Sequence, residues 1–140
     1  MKQRFHLITL GVDDQTKAAA FYDALGWERA ESPDGVIAYD LWGATLGLYP
    51  RGKLAEDLGR ELPRGSGAMT LSCNVREKDE VAEVIKVAEA AGATIVKPPH
   101  DIFWGGHIAY FEDPEGFVWE VAHNPFSPLG ANDEFQWNGA

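Results

Sequence analysis

The sequence predicts an α+β chain of two βαβββ modules. Three observations carry that expectation. The order strand, helix, strand, strand, strand is written twice, across residues 5–49 and 69–123. Each long helical stretch stops at a glycine, Gly26 and Gly92, a residue that tolerates the left-handed conformation at a helix end. Between the repeats lies a stretch rich in Pro, Gly and charge, residues 50–67, which reads as a linker. Repetition of one supersecondary unit is a fold signal in itself, and here it rests on pattern, because direct identity between the halves is slight. The expected boundaries are module one at 4–50, a linker with a surface helix at 51–66, module two at 67–123 and a tail at 124–140. A ferredoxin-like sandwich shares helix-on-sheet packing but does not put three strands after each helix.

Residues 5–12 are apolar and β-branched and end at Asp13-Asp14, which predicts a buried strand. Either aspartate can cap a helix over 14–25, since a carboxylate accepts the free N–H groups of a first turn. That helix carries Ala18, Phe21, Tyr22 and Leu25 at helical spacing. A short strand is expected at 27–30, then a turn at Ser32-Pro33-Asp34-Gly35. Residues 36–41 and 44–49 predict a hairpin across Trp42-Gly43, and 53–62 a surface helix. The pattern then restarts with a strand at 69–75 and a periodic helix at 77–91, whose Val81, Val84, Ile85 and Ala88 face inward. A short strand at 93–96 is expected to be broken by Pro98-Pro99. Residues 107–112 and 117–123 predict a hairpin across Asp113-Pro114-Glu115-Gly116. The tail, rich in Pro, Gly and Asn, is expected to wrap the surface or be partly disordered.

With 45% hydrophobic and 24% charged residues, the composition is that of an ordinary globular protein. The formal net charge of −10 repels phosphate backbones and anionic lipid, so neither nucleic acid nor a membrane surface is an expected partner. A single cysteine, Cys73, rules out an internal disulfide and a Cys-based zinc cage, and fits a reducing compartment. The N-terminal residues do not have the form of a signal peptide, and no apolar run approaches the ~20 residues of a membrane helix, so a cytoplasmic location is expected. No phosphate-binding glycine loop, Ser–His–Asp order or zinc spacing is present.

Three segments carry a resemblance. Thr9-Leu10-Gly11-Val12 leads into a helix with Ala20-Phe21-Tyr22-Asp23-Ala24-Leu25-Gly26-Trp27. Ala90-Ala91-Gly92-Ala93-Thr94-Ile95-Val96-Lys97-Pro98-Pro99 joins the second helix to its strand. Tyr110-Phe111-Glu112-Asp113-Pro114-Glu115-Gly116-Phe117-Val118-Trp119-Glu120 forms the last hairpin. In this order and spacing, over residues 5–125, they resemble the glyoxalase/bleomycin-resistance/extradiol dioxygenase (vicinal oxygen chelate) superfamily. The resemblance implies curved mixed sheets around a cavity, with helices outside. Many members hold a divalent metal there through His and Glu on the first and last strand of each module, as a Lewis acid for isomerisation, ring cleavage or epoxide opening. Others bind a drug without metal.

Carried over residue by residue, the ligand positions fall on Leu7, Gly47, Thr70 and Glu120. One carboxylate and one hydroxyl do not make a tight divalent site, so no metal is expected. Glu120 is the only retained ligand position, and His6 becomes a ligand only if the register shifts by one. Glu120 lies among apolar residues and is expected to be largely buried, as a structural carboxylate or a functional one. A tight turn at 113–116 would pair Ala109 with Glu120 and His107 with Ala122. That pairing would put His107 on the face of Glu120, where the two could do acid–base work or His107 could simply be bonded in the wall. By strand parity Leu7, Thr9, Asp40, Thr45, Gly47, Tyr49, Thr70, Ser72 and Asn74 face the cavity. Trp104 with Phe103 and Tyr49 would form an aromatic mouth beside Gly105-Gly106. Arg51 and Lys53 lie toward the mouth and could balance an anionic ligand, although a solvated face is the default. Cys73 faces the helix layer as a core thiol, while His100 and His123 lie near loop edges.

The expected function is therefore binding of a small organic molecule without the usual metal, either to sequester it or to transform it through Glu120 and His107. A metal-dependent lyase, isomerase or dioxygenase with displaced ligands is the alternative, and a purely associative subunit a third. No cofactor is expected outside that alternative. A homodimer is expected, because the family commonly closes such modules by pairing chains and because Phe126, Leu129, Phe135 and Trp137 give the tail an apolar patch.

Overall fold

The computed structural model describes residues 1–32 and 35–140 and divides into two compact units, Met1–Gly67 and Ala68–Ala140. Pro33 and Asp34 of the expected turn at 32–35 lie outside the described residues.

The first unit opens with β1 (Leu7–Val12) and α1 (Gln15–Ala24), followed by β2 (Ile37–Leu41), β3 (Ala44–Pro50) and α2 (Arg51–Leu58). Asp14 caps α1, its carboxylate accepting the Lys17 N–H at 2.9 Å. Ala18, Ala19, Phe21 and Tyr22 are the buried residues of α1, and Gly26 closes the helix in a left-handed conformation. The sheet order is β1-β3-β2, with β1 parallel and β2 antiparallel to β3. Ile8, Leu10, Leu46, Leu48 and Tyr39 share one face by register, and the Tyr39 hydroxyl donates to the Ala19 carbonyl, which identifies that face as the one α1 covers.

Two expectations for this unit are corrected. The strand at 27–30 shrinks to one antiparallel bridge between Ala30 and Ala38. Trp27 is instead drawn back onto α1, stacking on Tyr22, and Arg29 is held by Asp23 at 2.6 Å. The linker helix starts at Arg51 and ends at Gly59, earlier than 53–62. Asp13 explains the early start, since it takes Arg51 at 2.7 Å and Arg64 at 2.8 Å and pins the linker against the end of β1. The Arg51 hydrogen bond, first among these influences, holds the Asp13 carboxyl below the usual carboxylate range.

The second unit repeats the order with β4 (Leu71–Val75), α3 (Glu80–Ala91), β5 (Thr94–Asp101), β6 (His107–Glu112) and β7 (Val118–His123). Its sheet order is β4-β7-β6-β5, with β4 parallel to β7. Val81, Ile85 and Ala88 are the buried stripe of α3, and Gly92 ends it left-handed. Ala109, Phe111, Trp119 and Val121 are buried and share one apolar face. The strand after α3 is not broken by Pro98-Pro99 but runs through them to Asp101. It can do so because β5 is an edge, and two register shifts against β6 absorb the missing donors. Cys73 sits in the row of Val121 as parity predicts, yet it is exposed, because β4 is the other edge. The tail is a bound wrap, in which Arg76 donates to the carbonyls of Leu129 and Gly130 and pairs with Asp133 at 2.6 Å.

The last hairpin differs from expectation by one residue. The buried Asp113 accepts the N–H groups of Glu115 and Phe117, both at 2.9 Å, through one carboxylate oxygen. Phe117 is thereby drawn into the loop, and the ladder closes at Glu112 opposite Val118. Tyr110, not Ala109, then stands opposite Glu120, and His107 stands opposite His123. An Asp113→Ala variant leaves two buried donors without that acceptor and is expected to lose about 3 kcal/mol of stability in urea unfolding, with Asp113→Asn losing less because an acceptor oxygen remains.

Candidate functional site

In the second unit, Ser72, Glu120 and Tyr110 form one cross-strand row over β4, β7 and β6. They lie on the face opposite Trp119 and Val121, as strand alternation requires. The Tyr110 hydroxyl donates to Glu120 Oε2. Ser72 Oγ donates to Glu120 Oε1 across 3.4 Å, a long hydrogen bond. Asn74 stands in the next row on the same face, opposite Ala122. Glu120 is half-buried rather than largely buried. The hydrogen bond to Glu120, then burial, then the negative charge of Glu120 push the Tyr110 phenol up to about 12.

His107 is not part of this row. The one-residue shift at Asp113 turns it to the opposite face, where Nδ1 meets Asp101 Oδ1 at 2.7 Å. Asp101 also pairs with Lys78 at 2.8 Å, and these hydrogen bonds, Lys78 first and His107 second, hold the Asp101 carboxyl below its usual range. Opposite His107, the buried Nδ1 of His123 lacks a hydrogen-bond partner among the described residues. Thr70 precedes β4, is exposed, and takes no place in the β4–β7 ladder, so Ser72 occupies the position beside Glu120.

The first unit presents the equivalent face without the carboxylate. Leu7, Thr9 and Gly11 align with Thr45, Gly47 and Tyr49, so Leu7, Thr9, Gly47 and Tyr49 share a face as expected. Gly47 is buried beneath Leu7 and Val36, and a Cβ there would come within 3.3 Å of Leu7 Cδ1. Thr45 Oγ1 donates to Asp40 at 2.8 Å, so those two polar groups satisfy each other. Residues of α2 meet the other end of this face, with Leu54 and Arg51 against Gly11. Burial first, and then the neighbouring Asp57, raise the Tyr49 phenol above its usual value. His6 is exposed and lies just before β1, its carbonyl accepting the Thr45 N–H at 2.8 Å. Trp104 lies over Gly106 so closely that a Cβ there would overlap its ring, while Phe103 is fully open to solvent.

Of the positions implied for metal ligands, Leu7 and Gly47 offer no side-chain donor, and Thr70 lies outside the ladder. Both oxygens of Glu120 face hydroxyls of the chain itself. This set does not fit a tightly held divalent ion, which needs several oxygen or imidazole donors. Among the described residues no three His, Cys, Asp or Glu side chains are gathered where an ion could sit.

The family model of the Glyoxalase/Bleomycin resistance protein/Dioxygenase superfamily matches residues 4–121. The chain belongs to this superfamily. Its fold is similar to that of a glyoxalase-related enzyme from Fulvimarina pelagi, with 34% identity and a TM-score of 0.89 over 96% of this chain and 98% of that one. This superfamily member is also similar in fold to a hypothetical protein from S. aureus, at 23% identity and a TM-score of 0.77 over 89% of this chain and 95% of that one. A lactoylglutathione lyase from Agrobacterium tumefaciens shares the fold at 22% identity, with a TM-score of 0.68 over 87% and 94% of the two chains. Among curated proteins, none matches. No helix of the described residues is long and apolar enough to cross a membrane.

Tyr110 is the site residue that the sequence reasoning missed. Its signal was present, since it lies on the strand paired with Glu120, but the loop length decides whether Tyr110 or Ala109 faces the carboxylate. If Glu120 holds the Tyr110 proton, Glu120→Gln should lower the phenol from about 12 toward its ordinary value of 10, read by ultraviolet difference titration. The sign follows from linkage. A folded-state pKa raised above the unfolded one gives stability that is complete below pH 10 and is lost as pH rises toward about 12.

Proposed function

We propose that this superfamily member binds a small organic molecule on the face carrying Glu120, without the metal on which many relatives depend. It either transforms the molecule by acid–base chemistry at Glu120 or sequesters it. The observation that carries this reading is the row Ser72–Glu120–Tyr110, in which the one carboxylate at a ligand position is engaged by two hydroxyls. A carboxylate held this way is a hydrogen-bond acceptor and a base for a ligand proton. Tyr110 takes the partner role that His107 was expected to fill. The similarity to a glyoxalase-related enzyme from Fulvimarina pelagi supports catalysis over mere storage. Within the second unit the polar residues Ser72 and Asn74 are the proposed ligand contacts beside Glu120, and within the first unit Leu7, Thr9, Gly47 and Tyr49 are the proposed contact face of that unit. Trp104 closes the list as an aromatic contact beside the Gly105-Gly106 loop. A reducing, cytoplasmic setting and a homodimer complete the reading. The dimer is supported by Phe103, Phe126 and Trp137, which expose 97%, 67% and 79% of their surface.

Elemental analysis and native mass spectrometry of protein expressed in metal-supplemented medium test the central point. The expected result is metal well below stoichiometry, with a retained organic molecule that Glu120→Ala releases. Near-stoichiometric zinc, nickel, manganese or iron, lost in Glu120→Ala, would overturn it in favour of a metal-dependent lyase, isomerase or dioxygenase. Sedimentation at micromolar concentration is expected to give the mass of two chains, and a single-chain mass would remove the dimer.

A further inference from the structure

The two oxygens of Glu120 are unequally satisfied. Tyr110 donates to Oε2, whereas Ser72 reaches Oε1 only at 3.4 Å. Hydroxyl donors normally approach to about 2.7 Å, so Oε1 keeps most of its accepting capacity. Ser72 can rotate its hydroxyl away at little cost, whereas the Tyr110 hydroxyl is carried on a half-buried ring of β6 and cannot leave without moving that ring. The carboxylate is therefore held at Oε2 and only weakly engaged at Oε1.

Ser72, Glu120 and Tyr110 themselves supply no positive charge for an anion. Lys97 stands in register with Tyr110 on β5, but it is exposed, and no ion pair joins it to Glu120 among the described residues. The phenol of Tyr110 keeps its proton up to about 12, so it remains a donor to Glu120 throughout the neutral range. An anionic group brought to Oε1 would meet a like charge, while a donor, above all a charged one, would make a charge-assisted hydrogen bond. The net charge of −10 adds a long-range attraction of the same sign.

We propose that Oε1 of Glu120 recognises an ammonium or hydroxyl group of a small organic molecule, with Tyr110 as the positioning residue that keeps that oxygen turned toward the ligand. This rests on the proposed binding of an organic molecule on the Glu120 face and names the chemical class it would take. The site is selective for hydrogen-bond donors and against carboxylates.

Three probes matched in their ring test it on the full chain: benzylammonium, benzyl alcohol and benzoate, titrated by nitrogen-15 NMR. The expected result is that benzylammonium shifts the amides of Ser72, Tyr110 and Glu120 and binds at least about tenfold tighter than benzoate, the scale of one charge-assisted hydrogen bond, with benzyl alcohol between them. Glu120→Gln should reduce the ammonium-to-benzoate ratio several-fold, leaving only the long-range preference set by the net charge. Tyr110→Phe should reduce that ratio several-fold, whereas a merely structural role would weaken all three probes alike and leave the ratio unchanged. Benzoate binding as tightly as benzylammonium, a ratio that Glu120→Gln leaves unchanged, or no shift at these amides with any probe would each overturn the inference. In the first two cases an organic ligand still occupies the face, so the proposed function stands and only the recognition rule falls. In the last case, zinc titration producing the same amide shifts at one equivalent would remove the proposed function as well.

Discussion

One carboxylate decides what the second unit can do chemically, and it is not Glu120 but Asp113. By accepting the N–H groups of Glu115 and Phe117, Asp113 lengthens the last loop by one residue. Strand side chains alternate, so a one-residue change of register exchanges the faces of an entire strand. With this loop, Tyr110 meets Glu120 while His107 is turned to Asp101 on the opposite face. A loop one residue shorter would have set a histidine near the carboxylate in place of a phenol. The exchange matters because a free imidazole titrates near neutrality and a phenol bonded to a carboxylate does not. The chemistry on the Glu120 face thus depends on a hydrogen-bonding detail about twenty ångströms of strand away at most, by the ~3.4 Å rise of each strand residue.

The repeat is clearer in the ladders than in the residues. In the first unit β1, β3 and β2 align Thr9 with Gly47 and Gly47 with Ala38. In the second, β4, β7 and β6 align Ser72 with Glu120 and Glu120 with Tyr110. The backbone places three positions alike in both, and the isolated Ala30–Ala38 bridge answers to the pairing of Lys97 with Tyr110. The side chains agree only in the hydroxyls of Thr9 and Ser72 and diverge at the other two positions. Where the second unit has a carboxylate between two hydroxyls, the first has a glycine roofed by Leu7 and Val36. One module presents a polar row centred on a carboxylate and the other a row centred on a covered glycine, a division that a repeated scaffold permits because the ladder bonds do not depend on side-chain identity.

This contrast explains how much the sequence disclosed. The helices were legible because their signals are local: Asp14 caps α1, Gly26 and Gly92 stop α1 and α3, and the buried stripes recur at helical spacing. The shared face of Leu7, Thr9, Gly47 and Tyr49 was legible from strand alternation, since Leu46 and Leu48 mark the helix-facing positions of β3 and leave Gly47 and Tyr49 on the other face. Strand 27–30 was overcalled because its apolar Trp27 is spent on Tyr22 rather than on a sheet. The strand through Pro98-Pro99 was undercalled because edge position, which forgives proline, is a property of the whole sheet order. The site was half legible. Ser72 followed from strand parity, and Glu120 from the family resemblance with a count through the turn from Asp113, but Tyr110 required knowing that an aspartate side chain would take two backbone donors in the turn.

The Glu120–Tyr110 pair also bears on why a carboxylate persists at a position whose companions are Leu, Gly and Thr. A half-buried carboxylate without a partner would cost stability, and the simplest relief is an apolar substitution. Here the phenol and, more weakly, Ser72 donate to the carboxylate and offset that cost. Tolerance alone would be equally served by two short hydrogen bonds. The long Ser72 contact leaves the carboxylate under-satisfied on the side away from Tyr110, and an under-satisfied acceptor is favourable only where something else donates to it. The imbalance between the two oxygens, rather than the presence of the carboxylate, is what points from structure toward binding.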